Sequence, residues 1–236
     1  MRPIGFSTGA LAYADFRRGL AMMSNKGLDA IELSALRQNE LTPMLDALPT
    51  LDLSSFSYIS IHAPSQVEPA AERAIWHRLR DELWRKWPIV VHPEAIHDFG
   101  LWRELGSAVC IENMDRRKPI GRYVEELAPV FEQLPEAKLC FDIGHARQVD
   151  TTMTEAYRIL RDFGAKLQQV HISEVNTRSK HDPLSYTSIL AFQEVAAMIP
   201  VTVPLILETP VNEDQIAAEI DKVRQALPLK LQTRVA

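Results

Sequence analysis

The sequence predicts an α/β protein, a single (β/α)8 TIM barrel that spans residues 1–236. Two observations support this prediction. Short apolar runs of β type alternate about eight times with helical patterns, and no low-complexity linker divides the chain. The length of 236 residues also suits one barrel, whose usual size is about 250 residues.

The strands are expected to be short and the helices amphipathic. The strands are predicted at residues 3–7, 28–33, 58–62, 88–92, 108–112, 138–142, 167–172 and 203–208. The helices are predicted at 14–27, 41–48, 68–87, 96–105, 120–133, 154–163, 185–198 and 214–227. The clearest helix is 68–87, where Ala71, Ile75 and Leu79 recur at a spacing of four residues. Pro129 is expected to kink or divide the helix at 120–133.

Seven predicted strands carry, at their last or next-to-last residue, an acid or a histidine that directly follows an apolar residue. Successive side chains of a strand point to opposite faces, so if the apolar residues face the helices, the polar ones face the barrel axis. The polar residues are Glu32, His62, His92, Glu112, Asp142, His171 and Glu208. The same alternation places Cys110 and Cys140 inward as buried free thiols, and Gln169 inward beneath His171.

This predicted ring of polar side chains has the composition of a metal site. Imidazole and carboxylate groups are ligands for Zn, Mn, Co or Fe(II). Burying so many polar groups without a cation would be expensive, which favours metal binding over a structural polar cluster. The carboxyl ends of the strands are also the catalytic face of a (β/α)8 barrel.

Charge and hydropathy favour a cytoplasmic protein that acts on a small molecule. The net charge of −5 and the pI near 5.8 argue against a nucleic-acid surface, which usually shows a basic excess. The sequence has neither a long apolar run nor a signal peptide, so no membrane association is expected. Apolar residues on the helices after strands three and four are candidates for a homo-oligomer face.

The strand ends resemble those of the xylose isomerase-like barrel superfamily, which includes sugar isomerases, sugar epimerases and apurinic-site endonucleases. The resemblance covers nearly the whole chain, and it lies in the order and spacing of short motifs. These are ELS at Glu32, HAP at His62, HP at His92, EN at Glu112, DIGHA at Asp142, VHIS at His171 and LILET at Glu208.

Resemblance to the isomerase and epimerase branch implies one divalent ion bound by Glu112, Asp142, His171 and Glu208. It also implies that Glu112 and Glu208 are the acid and base and that His145 holds a substrate oxygen. A metal that chelates a carbonyl and its neighbouring hydroxyl acidifies the α-carbon proton, which a carboxylate can then remove. The leading hypothesis is a metal-dependent isomerase or epimerase of a small sugar or hydroxy-carbonyl substrate.

Resemblance to the endonuclease branch implies three zinc ions and phosphodiester hydrolysis. The residues that match its pattern are His62, His92, Glu112, Asp142, His145, His171, His181 and Glu208. That branch has an aspartate two residues before the last histidine, where this chain has Ser179. A multinuclear phosphoesterase is therefore the second hypothesis, and one to three ions are expected. A multinuclear iron oxygenase and a non-catalytic metal-binding barrel are further alternatives.

Other residues near the predicted rim are candidates for substrate contacts. Glu32, His62, His92, His145 and His181 are candidates for further metal or substrate binding. The basic residues Arg116, Arg117, Lys118 and Arg178 follow strands five and seven and are candidates for binding a phosphate or carboxylate. The alternative is that they form a solvated run of loop charges.

Overall fold

A computed structural model describes residues 2–229, and eight of its strands form a closed parallel barrel. The ten strands are β1 Ile4–Ser7, β2 Ala30–Ser34, β3 Tyr58–His62, β4 Ile89–Val91, β5 Val109–Glu112, β6 Lys138–Asp142, β7 Leu167–Ile172, β8 Glu174–Val175, β9 His181–Asp182 and β10 Leu205–Leu207. The order around the barrel is β1-β10-β7-β6-β5-β4-β3-β2. Strands β8 and β9 form a separate antiparallel pair. The predicted (β/α)8 barrel is confirmed.

Helices surround the barrel in the described residues. They are α1 Thr8–Ala12, α2 Phe16–Met23, α3 Gln38–Ala47, α4 Pro69–Arg80, α5 Phe99–Arg103, α6 Val124–Gln133, α7 Ile143–Val149, α8 Thr154–Phe163, α9 Tyr186–Gln193 and α10 Ile216–Ala226. Within residues 2–229, no helix is long and apolar enough to cross a membrane.

Several predicted helix boundaries differ from those observed. Helix α4 ends at Arg80, and a separate 3-10 turn, Leu83–Arg85, continues the predicted pattern. Helix α6 begins at Val124 and contains Pro129 without ending there. The short helices α1 and α7 were not predicted, because five and seven residues are too few to show a helical period.

Apolar side chains pack on both sides of the barrel wall. Val91, Ile111 and Phe141 belong to the large cluster that joins the strands to the helices. Val90, Cys110 and Cys140 form a separate small cluster inside the barrel. This division confirms the predicted alternation, and both cysteines are buried free thiols. The polar residues two positions after these interior residues therefore project toward the axis at the carboxyl end.

Candidate metal centre

The barrel gathers six side chains near the carboxyl ends of six strands. His62, Glu112 and Asp142 are the last residues of β3, β5 and β6. His92 directly follows β4, Glu208 directly follows β10, and His171 is the penultimate residue of β7. Parallel pairing in register between β6 and β7 places Asp142 opposite His171. These strand ends bring together residues that lie far apart in the sequence.

Glu112 lies at the centre of the group, and its two oxygens face different histidines. Glu112 Oε2 lies 3.1 Å from His62 Nε2 and 3.2 Å from His92 Nε2. Glu112 Oε1 lies 3.3 Å from His171 Nδ1 and 3.4 Å from His145 Nδ1. One carboxylate thus borders two sets of ligand atoms.

The ligand atoms fall into four overlapping groups in the described residues. Within each group they lie within 4.8 Å of one another: Glu32, His62, His171 and Glu208; His62, His92 and Glu112; Asp142, His145 and His181; Glu112, Asp142, His171 and Glu208. The last group is the set that the isomerase branch implies, and the second and third add positions that the endonuclease branch implies. Most of these side chains are buried, whereas His181 and Glu208 are the more exposed members.

Helix α7 presents His145, which no strand carries. Asp142 is the N-cap of α7, and its Oδ1 accepts a 2.6 Å hydrogen bond from the backbone N–H of His145. Gly144 allows the helix to approach β7 closely, because a Cβ there would lie 2.4 Å from the carbonyl oxygen of Ser173. The hairpin of β8 and β9 carries His181, whose Nδ1 lies 2.7 Å from Ser173 Oγ.

Four histidines each have a polar partner close to one ring nitrogen. His62 Nδ1 lies 2.7 Å from the Ala63 carbonyl, and His145 Nδ1 lies 3.0 Å from the Asn113 carbonyl. His92 Nδ1 lies 3.3 Å from Glu94 Oε1. His171 Nε2 lies 3.0 Å from Glu32 Oε2. A partner on one nitrogen fixes the ring orientation, as metal-binding histidines require.

Glu32 lies deeper than the sequence pattern predicted. In the register of β2 and β3, Glu32 is opposite Ser60, and Ser34 is opposite His62. Glu32 is therefore one layer below the ring, although it faces the axis as expected. The predicted depth of Glu32 along the barrel axis was wrong because β2 extends to Ser34, so Glu32 is not at the end of the strand.

The donor set fits a divalent cation, because it includes a buried carboxylate oxygen that makes no hydrogen bond in the described residues. Asp142 Oδ2 is buried and has no hydrogen-bond partner in the described part of the chain. Burial raises the pKa of Asp142 well above its ordinary value, and the negative charges of Glu208 and Glu112 raise it further. A cation between these carboxylates would remove the repulsion and satisfy the free oxygen. Nitrogen and oxygen donors in this combination suit Zn, Mn, Co or Fe.

The positive charges of the histidines stabilise the central carboxylate. Burial alone would raise the pKa of Glu112, but the nearby charges of His171 and His92 outweigh burial and lower this pKa well below its ordinary value. Burial lowers the pKa of His92, yet Glu112 and Glu94 outweigh it and raise that pKa to about 9. Without an ion, protonated histidines therefore compensate the buried negative charge.

The predicted anion-binding residues have different surroundings. Arg116 donates hydrogen bonds to the carbonyls of Gln148 and Val149 at the end of α7. Arg117 donates to the Ser179 carbonyl at 2.7 Å and to Asp115 Oδ1 at 3.3 Å, and its side chain is largely exposed.

Lys118 and Arg178 complete this predicted set. Lys118 forms an ion pair with Glu94, and its Nζ lies 3.4 Å from His92 Nδ1. Arg178 is exposed on the hairpin between β8 and β9. Of these four basic residues, Lys118 is thus the one that contacts a histidine of the candidate centre, His92.

Two residues near the site were missed by the sequence reasoning. Asn113 accepts a 2.8 Å hydrogen bond from the Asp142 backbone N–H and donates another to its carbonyl. Ser173 contacts His181 beneath the hairpin. Both residues lie in motifs noted above, which were the available signals: Asn113 follows Glu112 in EN, and Ser173 is the last residue of VHIS.

Solved structures share this architecture, although no family model and no curated protein matches the sequence. A xylose isomerase domain protein from Alicyclobacillus acidocaldarius is 14% identical, with a TM-score of 0.61 over 97% of this chain and 99% of its own. A presumed sugar phosphate isomerase/epimerase from Anabaena variabilis is 13% identical, with a TM-score of 0.59 over 96% and 99%.

A third solved structure matches to a similar extent. It is a xylose isomerase-like TIM barrel protein from Mycobacterium smegmatis in complex with magnesium. It is 15% identical, with a TM-score of 0.58 over 96% of this chain and 97% of its own. At such low identities these matches define the fold. The chain therefore has the xylose isomerase-like TIM-barrel fold that its strand-end motifs predicted.

Proposed function

We propose that the protein is a multinuclear metal-dependent hydrolase that cleaves a phosphoester of a small molecule. The observation that supports this most directly is the position of Glu112. Its Oε2 faces His62 and His92, and its Oε1 faces His171. A carboxylate with ligand groups on both oxygens is suited to bridge two ions, as in the two-metal sites of phosphatases and nucleases.

The charge of the candidate centre is consistent with more than one ion. Four buried or half-buried carboxylates, Glu32, Glu112, Asp142 and Glu208, lie among the ligand groups, and two divalent ions would balance them. In this proposal His62, His92 and Glu112 would hold one ion, and Glu112, Asp142, His171 and Glu208 would hold another. The bound ions would supply positive charge that neutralises a phosphoester and acidifies water.

Residues around the ligands would position an anionic substrate. Lys118 lies beside His92, and its ion pair with Glu94 keeps the ammonium at the edge of the ligand group. Arg117 lies near the hairpin and is largely exposed. These cations are suited to hold phosphate oxygens, whereas the net charge of −5 argues against a nucleic-acid polymer.

A metal-dependent isomerase or epimerase is the second candidate function. It is favoured by the group Glu112, Asp142, His171 and Glu208, which offers four ligand atoms by itself. In that case Glu112 and Glu208 would be the acid and base, and His145 would hold a substrate oxygen. The names of the Alicyclobacillus and Anabaena structures favour this candidate, but it leaves the convergence of His62 and His92 on Glu112 unexplained.

Metal content per chain separates the two candidates. Protein purified without chelators is analysed for Zn, Mn, Co and Fe, and the same is done for His62→Ala and for His77→Ala, a control on the exposed face of α4. If the protein is a hydrolase, we expect two or three ions per chain and one fewer in His62→Ala. We also expect cleavage of p-nitrophenyl phosphate esters, at a rate that falls when this ion is lost.

Other outcomes would identify the alternatives. One ion that survives in His62→Ala, together with turnover of sugars, would refute the hydrolase and favour the isomerase. Iron at two or more equivalents with oxygen consumption would indicate an oxygenase. Tight metal binding without turnover across both substrate panels would indicate a non-catalytic barrel.

A further inference from the structure

A column of hydrogen-bonded polar side chains lies inside the barrel, beneath the candidate metal centre. The Tyr58 hydroxyl donates to Gln169 Oε1 at 2.7 Å, and Gln169 Nε2 donates to Glu32 Oε2 at 2.7 Å. Glu32 Oε2 lies 3.0 Å from His171 Nε2. The column thus ends on a residue of the proposed centre.

The column occupies positions where small barrels usually carry apolar side chains. Glu32 and Gln169 are completely buried, at 0% exposure. Cys110 and Cys140 lie at the same depth, and Cys140 is opposite Gln169 in the register of β6 and β7. Burying a carboxylate among such neighbours is unfavourable unless its hydrogen bonds compensate. Glu32 therefore needs polar partners at this depth.

Glu32 makes its contacts through one oxygen. Its Oε2 accepts from Gln169 Nε2 and from Ser60 Oγ, which lies 3.0 Å away, and it also faces His171. Its Oε1 has no hydrogen-bond partner among the described residues. This one-sided arrangement aims the carboxylate at the ring nitrogen of His171.

We propose that Glu32 is a positioning residue that fixes the tautomer of His171 for metal binding. This inference rests on the metal centre of the proposed function, and it applies with one ion or several. Glu32 Oε2 accepts the Nε2–H of His171, so Nδ1 keeps its lone pair. That Nδ1 lies 3.3 Å from Glu112 Oε1 and 3.5 Å from Glu208 Oε1, among the other ligand atoms.

Gln169 and Tyr58 hold the carboxylate in this orientation. An ionised carboxylate only accepts hydrogen bonds, so Gln169 must turn its NH2 group toward Glu32 and its oxygen toward the Tyr58 hydroxyl. Gln169 Nε2 also lies 2.8 Å from His171 Nε2, a hydrogen bond that His171 accepts only in the opposite tautomer. The negative charge of Glu32 favours the proton on Nε2 instead, where it completes a charge-assisted hydrogen bond. Each member of the column thereby restricts the next, from Tyr58 up to His171.

Chelator competition with Zn²⁺ tests the proposal on Glu32→Gln, which keeps the size of the side chain and removes its charge. We expect binding of one ion to weaken about 10- to 100-fold, the usual effect of losing an outer partner of a metal-bound histidine. The number of ions bound at saturating Zn²⁺ should not change. Glu72→Gln is the matched control, because it removes the charge of another buried glutamate, which bonds the backbone of His97 and Asp98, and its Zn²⁺ affinity should not change.

Tyr58→Phe provides a second variant if Glu32→Gln folds poorly. It removes only the hydroxyl that donates to Gln169, and we expect a smaller weakening of the same ion. In Zn²⁺-loaded protein with 15N-labelled histidine, we expect His171 to carry its proton on Nε2, and we expect Glu32→Gln to change that nitrogen signal. A purely structural role would leave this signal and the affinity unchanged.

Three results would decide against the proposal or against its basis. Unchanged Zn²⁺ affinity in both variants would overturn it. Loss of a whole equivalent at saturation in Glu32→Gln would overturn it as well, because Glu32 would then be a ligand itself. If the unsubstituted protein binds no ion at these residues, both the proposed function and the inference fail. This outcome differs from the other two, in which the unsubstituted protein does bind an ion.

Discussion

Replacing Asp142 with asparagine is expected to destabilise the metal-loaded protein but not the metal-free protein. Burial and the charges of Glu208 and Glu112 raise the pKa of Asp142 in the folded chain. A carboxyl with a raised pKa lowers stability as the pH rises above its ordinary value toward the folded value. At neutral pH, Asp142→Asn should therefore stabilise the metal-free protein or leave its stability unchanged.

The local structure should tolerate this substitution. The asparagine side chain would retain an Oδ1 that accepts the backbone N–H of His145, and asparagine is a good helix N-cap. Its amide nitrogen would take the place of Asp142 Oδ2, which makes no hydrogen bond in the described residues and lies 3.4 Å from His145 Nδ1. The variant thus removes the charge and one ligand atom while preserving the start of α7.

In the metal-loaded protein the same substitution should destabilise. An ion at 100 times its dissociation constant stabilises a protein by about 2.7 kcal/mol. If loss of the ligand weakens binding about 100-fold, about 0.4 kcal/mol remains at the same concentration. The difference of about 2.3 kcal/mol corresponds to about 5–9 °C in Tm for a chain of this length.

Thermal unfolding with EDTA and with excess Zn²⁺ measures both effects. Asp221→Asn is the control, because this exposed aspartate pairs only with Arg224 in the described structure. An equal rise of Tm with Zn²⁺ in Asp142→Asn and in the unsubstituted protein would refute Asp142 as a ligand. A large fall of Tm in EDTA would refute the electrostatic argument.

Three further predictions test the centre and its support. Glu112 and Glu94 outweigh burial and raise the pKa of His92 to about 9, so His92 must lose a proton before it binds an ion. Chelator competition should therefore show metal affinity rising up to tenfold per pH unit from pH ~6 to ~9. A metal affinity that does not depend on pH would exclude His92 as a ligand. Gly144→Ala would press against the Ser173 carbonyl, so elemental analysis should show reduced metal content, whereas unchanged content would mean that α7 need not stay close to β7. Glu72→Gln should lower the free energy of unfolding in urea by about 1–3 kcal/mol, because the buried carboxylate accepts hydrogen bonds from the backbone N–H groups of His97 and Asp98. An unchanged free energy of unfolding would show that these hydrogen bonds make no net contribution to stability.

Much of the barrel followed from local sequence because its signals are short-range. Strand side chains alternate with a period of two, so Ile111 before Glu112 and Phe141 before Asp142 indicated which residues face the axis. Parallel strands end at one rim, and their terminal polar residues were therefore expected to meet. Observed packing places Ile111 and Phe141 in the outer cluster.

Features that depend on short segments were less predictable. Helix α7 has seven residues and begins directly after the last residue of a strand, so no helical period marks it. The hairpin of β8 and β9 has two residues in each strand. Both carry candidate ligands, His145 and His181, whose proximity to Asp142 is decided by packing between elements.

The sequence by itself determined the barrel, the inward face of each strand and the types of donor at its rim, since these depend on neighbouring residues and on a fixed period. Only the tertiary structure decided how the donors combine. The stagger between strands set the depth of Glu32 below the rim, and closure of the barrel placed His62 and His171 on opposite oxygens of Glu112. Such distances depend on the register of all eight strands together, which no single stretch of sequence encodes.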